Sequence, residues 1–567
     1  MLLGGLRRLC GCIIRTVLRL SALANPLDLN IDNPIRKRRW NSTSPNSDKN
    51  VGVFRELGKS DGDRIFLAPW PQRGFRRSLA LAVLVLTSFV NPISQLSSSQ
   101  ATAAPVALAQ RWVSCVDGEG GQCASLPALV DWSKPAGATF DLQLVKIVAT
   151  SPKKRIGSLL VNPGGPGASG RKFARQLQGG ALPSAIRERF DIISWDPRGV
   201  GTTLPIKCLG PTGTEALYSA DQTPDSPAEF EELLAITKRF TEACAANSPG
   251  VLDHVSTADV VKDMEAIRVA LGESQISFLG FSYGTLLGAA YADAYPSRVR
   301  AFVLDGVLDP TADANERVRR QALGFETELD HFLADCQNRR CSFISKGKTA
   351  GASFDAAMAE AENSTIKVGK RTLGPGDAWY GVIASLYDKT YGWPALERAV
   401  RDLAKGDGAA FLSIADSYAR RRSDGTYENV AEANSAVNCT DVPSPRDPEA
   451  YRTLASEFTK IAPRLGAFAA YSSIACAFWP AKVTGSLSPL RAAGSNPILL
   501  IGTTNDPATP LVWAQSLQKQ LANSTLLTYS GEGHTALLTG NSCIRKVVVR
   551  YLVNVVKAAP GKVCKAG

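Results

Sequence analysis

Ser282 is framed by two glycines, Gly280-Phe281-Ser282-Tyr283-Gly284, between an apolar run from Ile276 and a helix-forming run from Leu286 to Tyr295. Strand, Gly-x-Ser-x-Gly, helix is the order in which a nucleophile elbow lifts a hydroxyl out of a sharp turn at a sheet edge. A bare pentapeptide could be a structural turn; the flanking strand and helix favour the nucleophile. A serine hydroxyl is weakly nucleophilic at neutral pH, so it needs an imidazole to take its proton and a carboxylate to orient that imidazole. The chain has 3 histidines. His254 precedes a helix cap and His331 lies in a helical segment, and both read as structural. His534 follows a late strand in the Gly-framed loop Gly531-Glu532-Gly533-His534-Thr535, and its position after serine and acid makes it the expected base. Asp506, ending the strand before the histidine strand, is the expected acid, with Asp305, ending the strand after the elbow, in reserve.

A second stretch serves the same chemistry. Asn162-Pro163-Gly164-Gly165-Pro166-Gly167-Ala168-Ser169-Gly170 follows the short buried strand Ser158 to Val161. So much Gly and Pro after a strand implies close backbone approach. A phosphate loop would need a Lys-Ser/Thr that is missing here, whereas a loop offering a bare N–H to a developing oxyanion fits. The expected oxyanion donors are the N–H groups of Gly165 and Tyr283. The next strand, Phe190 to Trp195, ends in Asp196-Pro197-Arg198-Gly199, whose charges read as loop-holding ahead of catalytic.

These residues need a scaffold. Short apolar runs at 140–149, 158–161, 190–195, 276–279, 299–304, 497–501 and 525–529 read as strands, and 260–271, 286–295 and 547–556 as helices. Alternating strands and helices predict an α/β fold: a mostly parallel sheet flanked by helices, with function at the carboxyl ends of its strands. Residues 310–485 are helical and rich in aromatics, including Trp379, Tyr380, Tyr387 and Trp393. They read as a helical lid inserted between the core parts 110–309 and 486–567.

Composition narrows the classes further. At 567 residues, 44% hydrophobic and 20% charged, the chain is globular. Its net charge of +12 is concentrated in residues 1–109, which carry 15 Lys/Arg against 6 Asp/Glu. The body is close to neutral, so no nucleic-acid partner is expected. Arg73, Arg76 and Arg77 precede an uncharged run, Leu79 to Val90, and a Ser/Ala-rich stretch follows. This is an export signal over 76–109, and it predicts a secreted or periplasmic protein without stable membrane association after cleavage; an uncleaved anchor is the alternative. Residues 1–75 read as disordered or as a mis-assigned start. Ten cysteines follow the leader, and pairing in chain order gives Cys115–Cys123, Cys208–Cys244, Cys336–Cys341, Cys439–Cys476 and Cys543–Cys564. With no Cys-x-x-Cys and no clustered histidines, neither metal nor cofactor is expected.

Residues 110–567 resemble the secreted tripeptidyl aminopeptidases of the α/β-hydrolase superfamily, relatives of prolyl aminopeptidases. The matching motifs are Asn162 to Gly170, Trp195 to Gly201, Gly280 to Ala292, Val303-Leu304-Asp305-Gly306-Val307, Cys476-Ala477-Phe478-Trp479-Pro480, Asp506-Pro507-Ala508-Thr509-Pro510 and Gly533-His534-Thr535. The resemblance implies the α/β-hydrolase fold and a serine exopeptidase with Ser282, Asp506 and His534 at the triad positions, acting on peptides with a free N-terminus. A carboxylesterase using the same triad on small esters is the alternative. A lid carboxylate holding the substrate's α-ammonium would discriminate the two. Asp441, in Asn438-Cys439-Thr440-Asp441, is the candidate, with a structural role beside a disulfide as its competing reading.

Overall fold

The computed structural model describes residues 112–116, 120–485 and 488–566; the expected extension 1–75 and signal segment 76–109 lie outside the described residues. Ten strands form one sheet: β1 (Val113–Ser114), β2 (Gln122–Leu129), β3 (Thr139–Ile147), β4 (Gly157–Asn162), β5 (Phe190–Trp195), β6 (Ile276–Phe281), β7 (Val299–Asp305), β10 (Ile498–Asn505), β11 (Ser524–Glu532) and β12 (Val563–Lys565), with β8 (Ile366–Val368) and β9 (Arg371–Leu373) forming a separate hairpin. Their spatial order is β1-β2-β3-β5-β4-β6-β7-β10-β11-β12. The first three pairings are antiparallel and every later one is parallel.

The central strand β6 shows why this order follows from composition. All six of its residues are buried, so both faces must be covered, as parallel strands require. Ile276 and Phe278 point into one core, with the helices Thr257–Ala270 and Tyr283–Ala294. Leu279 and Phe281 point into the other, with the helix Ser542–Asn554. The alternation of side chains along a strand divides one apolar run between two layers.

Between β7 and β10, which pair directly, the chain makes a helical excursion from Ala314 to Ala477. It has a core of its own around Phe332, Phe354, Trp379, Trp393 and Phe411. The small β8/β9 hairpin within it carries no sequence signal distinct from a turn.

The loop after β5 is tied down by buried charge. Arg198 donates to Asp263 at 2.7 and 2.8 Å and to the carbonyls of Leu129, Val130 and His254. Asp196 accepts from Ser169 Oγ at 2.5 Å and from the Arg171 and Thr202 N–H groups. Both charges hold loops, the role favoured on sequence grounds, and Asp196 anchors the far end of the Gly-rich segment 162–170.

Five disulfides join Cys115–Cys123, Cys208–Cys244, Cys336–Cys341, Cys439–Cys476 and Cys543–Cys564. Non-reducing peptide mapping of the purified protein is expected to recover these five pairs and no free thiol among the ten; a crossed pair would contradict the connectivity.

Candidate active site

Ser282 leaves β6 with φ 53° and ψ −128°, a left-handed conformation that costs a non-glycine residue about 1–3 kcal/mol and persists only where its surroundings impose it. Three contacts impose it. The Ser282 N–H donates to the Asp305 carbonyl at 3.0 Å. A Cβ on Gly280 would stand 2.4 Å from the Gly284 carbonyl oxygen, and one on Gly164 would stand 2.4 Å from the Phe281 carbonyl oxygen. Only bare backbone lets strand, helix and Gly-rich loop converge on this turn.

The same convergence sets the start of the following helix against the Gly-rich loop that carries Gly165. Tyr283 is the first residue of the helix Tyr283–Ala294, where the N–H has no intrahelical acceptor. On the facing loop, Asn162 Oδ1 takes the Gly164 N–H at 2.9 Å, leaving Gly165 as the next backbone donor. A Cβ at Gly164 would lie 2.9 Å from the Tyr283 nitrogen, so loop and helix start are in direct contact.

His534 Nδ1 lies 2.9 and 3.0 Å from the two oxygens of Asp506. Asp506 is itself held by the N–H groups of Ala508, Thr509 and Thr535 and by Thr509 Oγ1 at 2.8 Å. With Nδ1 committed to the carboxylate, Nε2 is the nitrogen available to a serine hydroxyl. Burial by itself would lower the pKa of His534. The charge and hydrogen bond of Asp506, with Asp305 behind them, outweigh it and hold the imidazole above its usual 6.5. Tyr387 stands edge-on to the ring at 5.2 Å between centroids, and its carbonyl accepts the His534 N–H at 2.9 Å.

The two acid candidates therefore have different places. Asp305 is fully buried and accepts from the N–H groups of Ala536 and Leu537 at 2.8–3.1 Å. Burial pushes its carboxyl up to about 7. Asp305 thus grips the backbone just beyond His534, while Asp506 bonds the imidazole.

Asp441 departs from its expected place as a lid carboxylate facing the substrate. It is buried, and Thr257 gives it both its N–H at 2.7 Å and its hydroxyl at 2.5 Å. Thr257 Oγ1 also meets the Tyr283 hydroxyl at 2.7 Å, and Arg317 supplies a facing charge. Both carboxylate oxygens are engaged by Thr257, whose hydroxyl relays to the side chain of the residue after Ser282, which is the structural role weighed on sequence grounds. Nine residues earlier on the same helix, Val430–Asp441, Glu432 has one oxygen without a hydrogen-bond partner among the described residues. That helix lies on the Gly-rich loop: Asn434 Nδ2 donates to the Pro166 carbonyl at 3.1 Å, and Val430 O would meet a Cβ on Gly167 at 2.8 Å. Glu432 faces Tyr218, and burial raises its carboxyl to about 7. From Tyr218 a run of ring contacts passes through Tyr380, Tyr418 and Tyr387 to His534, each 5.1–6.4 Å between centroids.

Thr509, Tyr387 and Glu432 escape a reading of sequence alone. Thr509 could have been found from the tight Asp506-Pro507-Ala508-Thr509 turn. Tyr387 lies 147 residues before His534 and Glu432 lies 214 after Tyr218, so neither carries a local signal.

Asp506→Asn is expected to lower kcat by about 10⁴, because the amide favours the wrong tautomer; Asp305→Asn, assayed as a folded protein, should cost less. The acid limb of kcat/KM should lie above pH 6.5, since a protonated imidazole cannot accept the serine proton, and Asp506→Asn should move that limb down. Steady-state rates across pH check both.

Residues 157–381 match the α/β hydrolase fold family model, and residues 462–564 match the model for TAP-like proteins. The chain is 36% identical over 459 residues to the serine protease Hip1 of Mycobacterium tuberculosis, covering 78% of this chain and 87% of that protein. It is 33% identical to carboxylesterase B of the same species, over 81% of this chain and 90% of that one. It is 28% identical to the tripeptidyl aminopeptidase of Streptomyces lividans, over 76% and 81%. On these matches the chain belongs to the tripeptidyl aminopeptidase-like family of α/β-hydrolase serine peptidases.

Proposed function

We propose that this serine peptidase is an exported exopeptidase that cleaves near free peptide N-termini, with Ser282 as nucleophile, His534 as general base and Asp506 as its orienting acid. The observation that carries the reading is the two-oxygen grip of Asp506 on His534 Nδ1, together with a serine held at φ 53° where β6 ends. His534 Nε2 takes the Ser282 proton as Oγ attacks the scissile carbonyl. The developing oxyanion is met by the N–H groups of Tyr283 and Gly165. The imidazolium then returns its proton to the leaving amine, and water hydrolyses the acyl-enzyme by the same relay. Five disulfides support folding in an oxidising compartment, as do the features of the leader.

Selectivity for a free amine requires a carboxylate near the acyl side of the serine, since an unpaired buried ammonium costs several kcal/mol. Glu432 supports this reading. It is buried, one oxygen lacks a partner among the described residues, and it stands on the helix that packs on the oxyanion loop. The surrounding tyrosines suit the aliphatic part of a short peptide. One finding favours a second reading: a relative of similar identity is named a carboxylesterase, and the same triad would serve small esters.

Ser282→Ala should abolish turnover in a folded, secreted protein, and residual activity in a purified sample would remove Ser282 as nucleophile. Acetylating a good tripeptidyl substrate should lower kcat/KM by about 10² or more, from the roughly 2–5 kcal/mol lost with one partner of a buried charge pair. Glu432→Gln should reproduce that loss on the free peptide and change the acetylated one little. Equal rates on both peptides, with faster cleavage of simple acyl esters, would favour the esterase.

A further inference from the structure

Two residues before His534, the end of β11 meets the helix Ala314–Arg339. Glu328 and His331 stand three apart on that helix, in Glu328-Leu329-Asp330-His331, which puts both side chains on one face. Glu532, the last residue of β11, faces them. One oxygen of each carboxylate and one ring nitrogen of His331 all lie within 4.8 Å of one another. We propose that Glu328, His331 and Glu532 bind a zinc ion that clips the helical insertion to the loop carrying His534.

Two observations carry this beyond a cluster of acids. Glu328 is 1% exposed, and neither of its oxygens has a hydrogen-bond partner among the described residues. The Glu532 carboxylate and the Trp393 indole N–H stand against it without hydrogen-bonding geometry, so two carboxylates face each other in a site open to solvent on the His331 and Glu532 side. Lys389 also faces Glu328, and its ammonium lies over the Trp393 ring, 4.4 Å from the centroid. A buried carboxylate without hydrogen bonds must take up either a proton or a partner of opposite charge.

The second observation is a distance. His331 Nδ1 and Glu532 Oε2 are 3.3 Å apart, long for a charge-assisted hydrogen bond, which would be about 2.7–2.9 Å. Two ligands of a tetrahedral zinc ion, with bonds of about 2.0–2.2 Å, stand about 3.3 Å apart. Mixed imidazole and carboxylate donors suit zinc better than calcium or magnesium, which take oxygen alone. The His331 and Glu532 side chains are 40% and 19% exposed, so an ion can enter from solvent and keep water at its fourth position. The ion has no part in the peptidase chemistry proposed above; its role is to position the His534 loop.

The whole protein, treated with EDTA and dialysed, should take up one zinc per chain by elemental analysis and titration calorimetry, with a rise in thermal midpoint on zinc addition. Glu328→Gln and His331→Gln should each weaken zinc binding by at least about 10- to 100-fold and abolish the thermal shift. His534→Ala should keep the stoichiometry, which separates this site from zinc captured by the triad. The absence of saturable zinc binding, as from a proton shared between the two carboxylates or neutralisation by Lys389, would overturn the proposal. So would undiminished binding in both the Glu328 and His331 variants.

Discussion

The left-handed turn at Ser282 is the constraint on which the rest of the architecture depends. A residue with a side chain resists this conformation, so the local cost of about 1–3 kcal/mol is met by the neighbouring backbone. The Asp305 carbonyl takes the Ser282 N–H, tying the elbow to β7. Gly164 presses the Gly-rich loop onto the Phe281 carbonyl, and Gly280 lets the following helix close over the strand. One strained residue therefore sets the spacing of two parallel strands, a helix start and a loop, and those four pieces frame Ser282.

Asp305 links that turn to the histidine. Its carbonyl supports Ser282, while its carboxylate grips the backbone at Ala536 and Leu537. Ser282 and the loop carrying His534 are thus registered through a single residue. Asp441 plays a comparable part on the other side, where Thr257 relays its carboxylate to the Tyr283 hydroxyl. Buried carboxylates at hydrolase sites are easily taken for substrate ligands. Here the hydrogen-bond inventory separates those already engaged, Asp305 and Asp441, from Glu432, which has an oxygen to spare.

The helical insertion is joined to the candidate site at several points. Tyr387 bonds the His534 backbone and stands beside its ring, the helix Val430–Asp441 lies on the Gly-rich loop, and Glu328 with His331 faces the end of β11. A change that loosens the insertion should therefore reach the rate as well as the specificity. Arg198 and Asp263, both almost wholly inaccessible to solvent, hold the loop after β5.

Much of this was legible in the linear chain. Short apolar runs ending in Gly, Asp or His identify β4 to β7, β10 and β11 and the loops at their carboxyl ends, because burial on both faces demands continuous apolar sequence. The elbow is local, as a turn so tight requires glycines at fixed offsets. Chain order alone favoured Asp506 over Asp305, but only the fold shows which carboxylate reaches the imidazole, since both end neighbouring strands of one sheet. The edge strands β1 and β12, the adjoining β2 and the β8/β9 hairpin are short or half exposed and leave little periodic trace. Asp441, Glu432 and the group Glu328, His331 and Glu532 mark the limit. What a carboxylate does depends on which donors, charges or ions stand within a few ångströms. Those partners come from residues tens to hundreds of positions away, so only tertiary structure decides it.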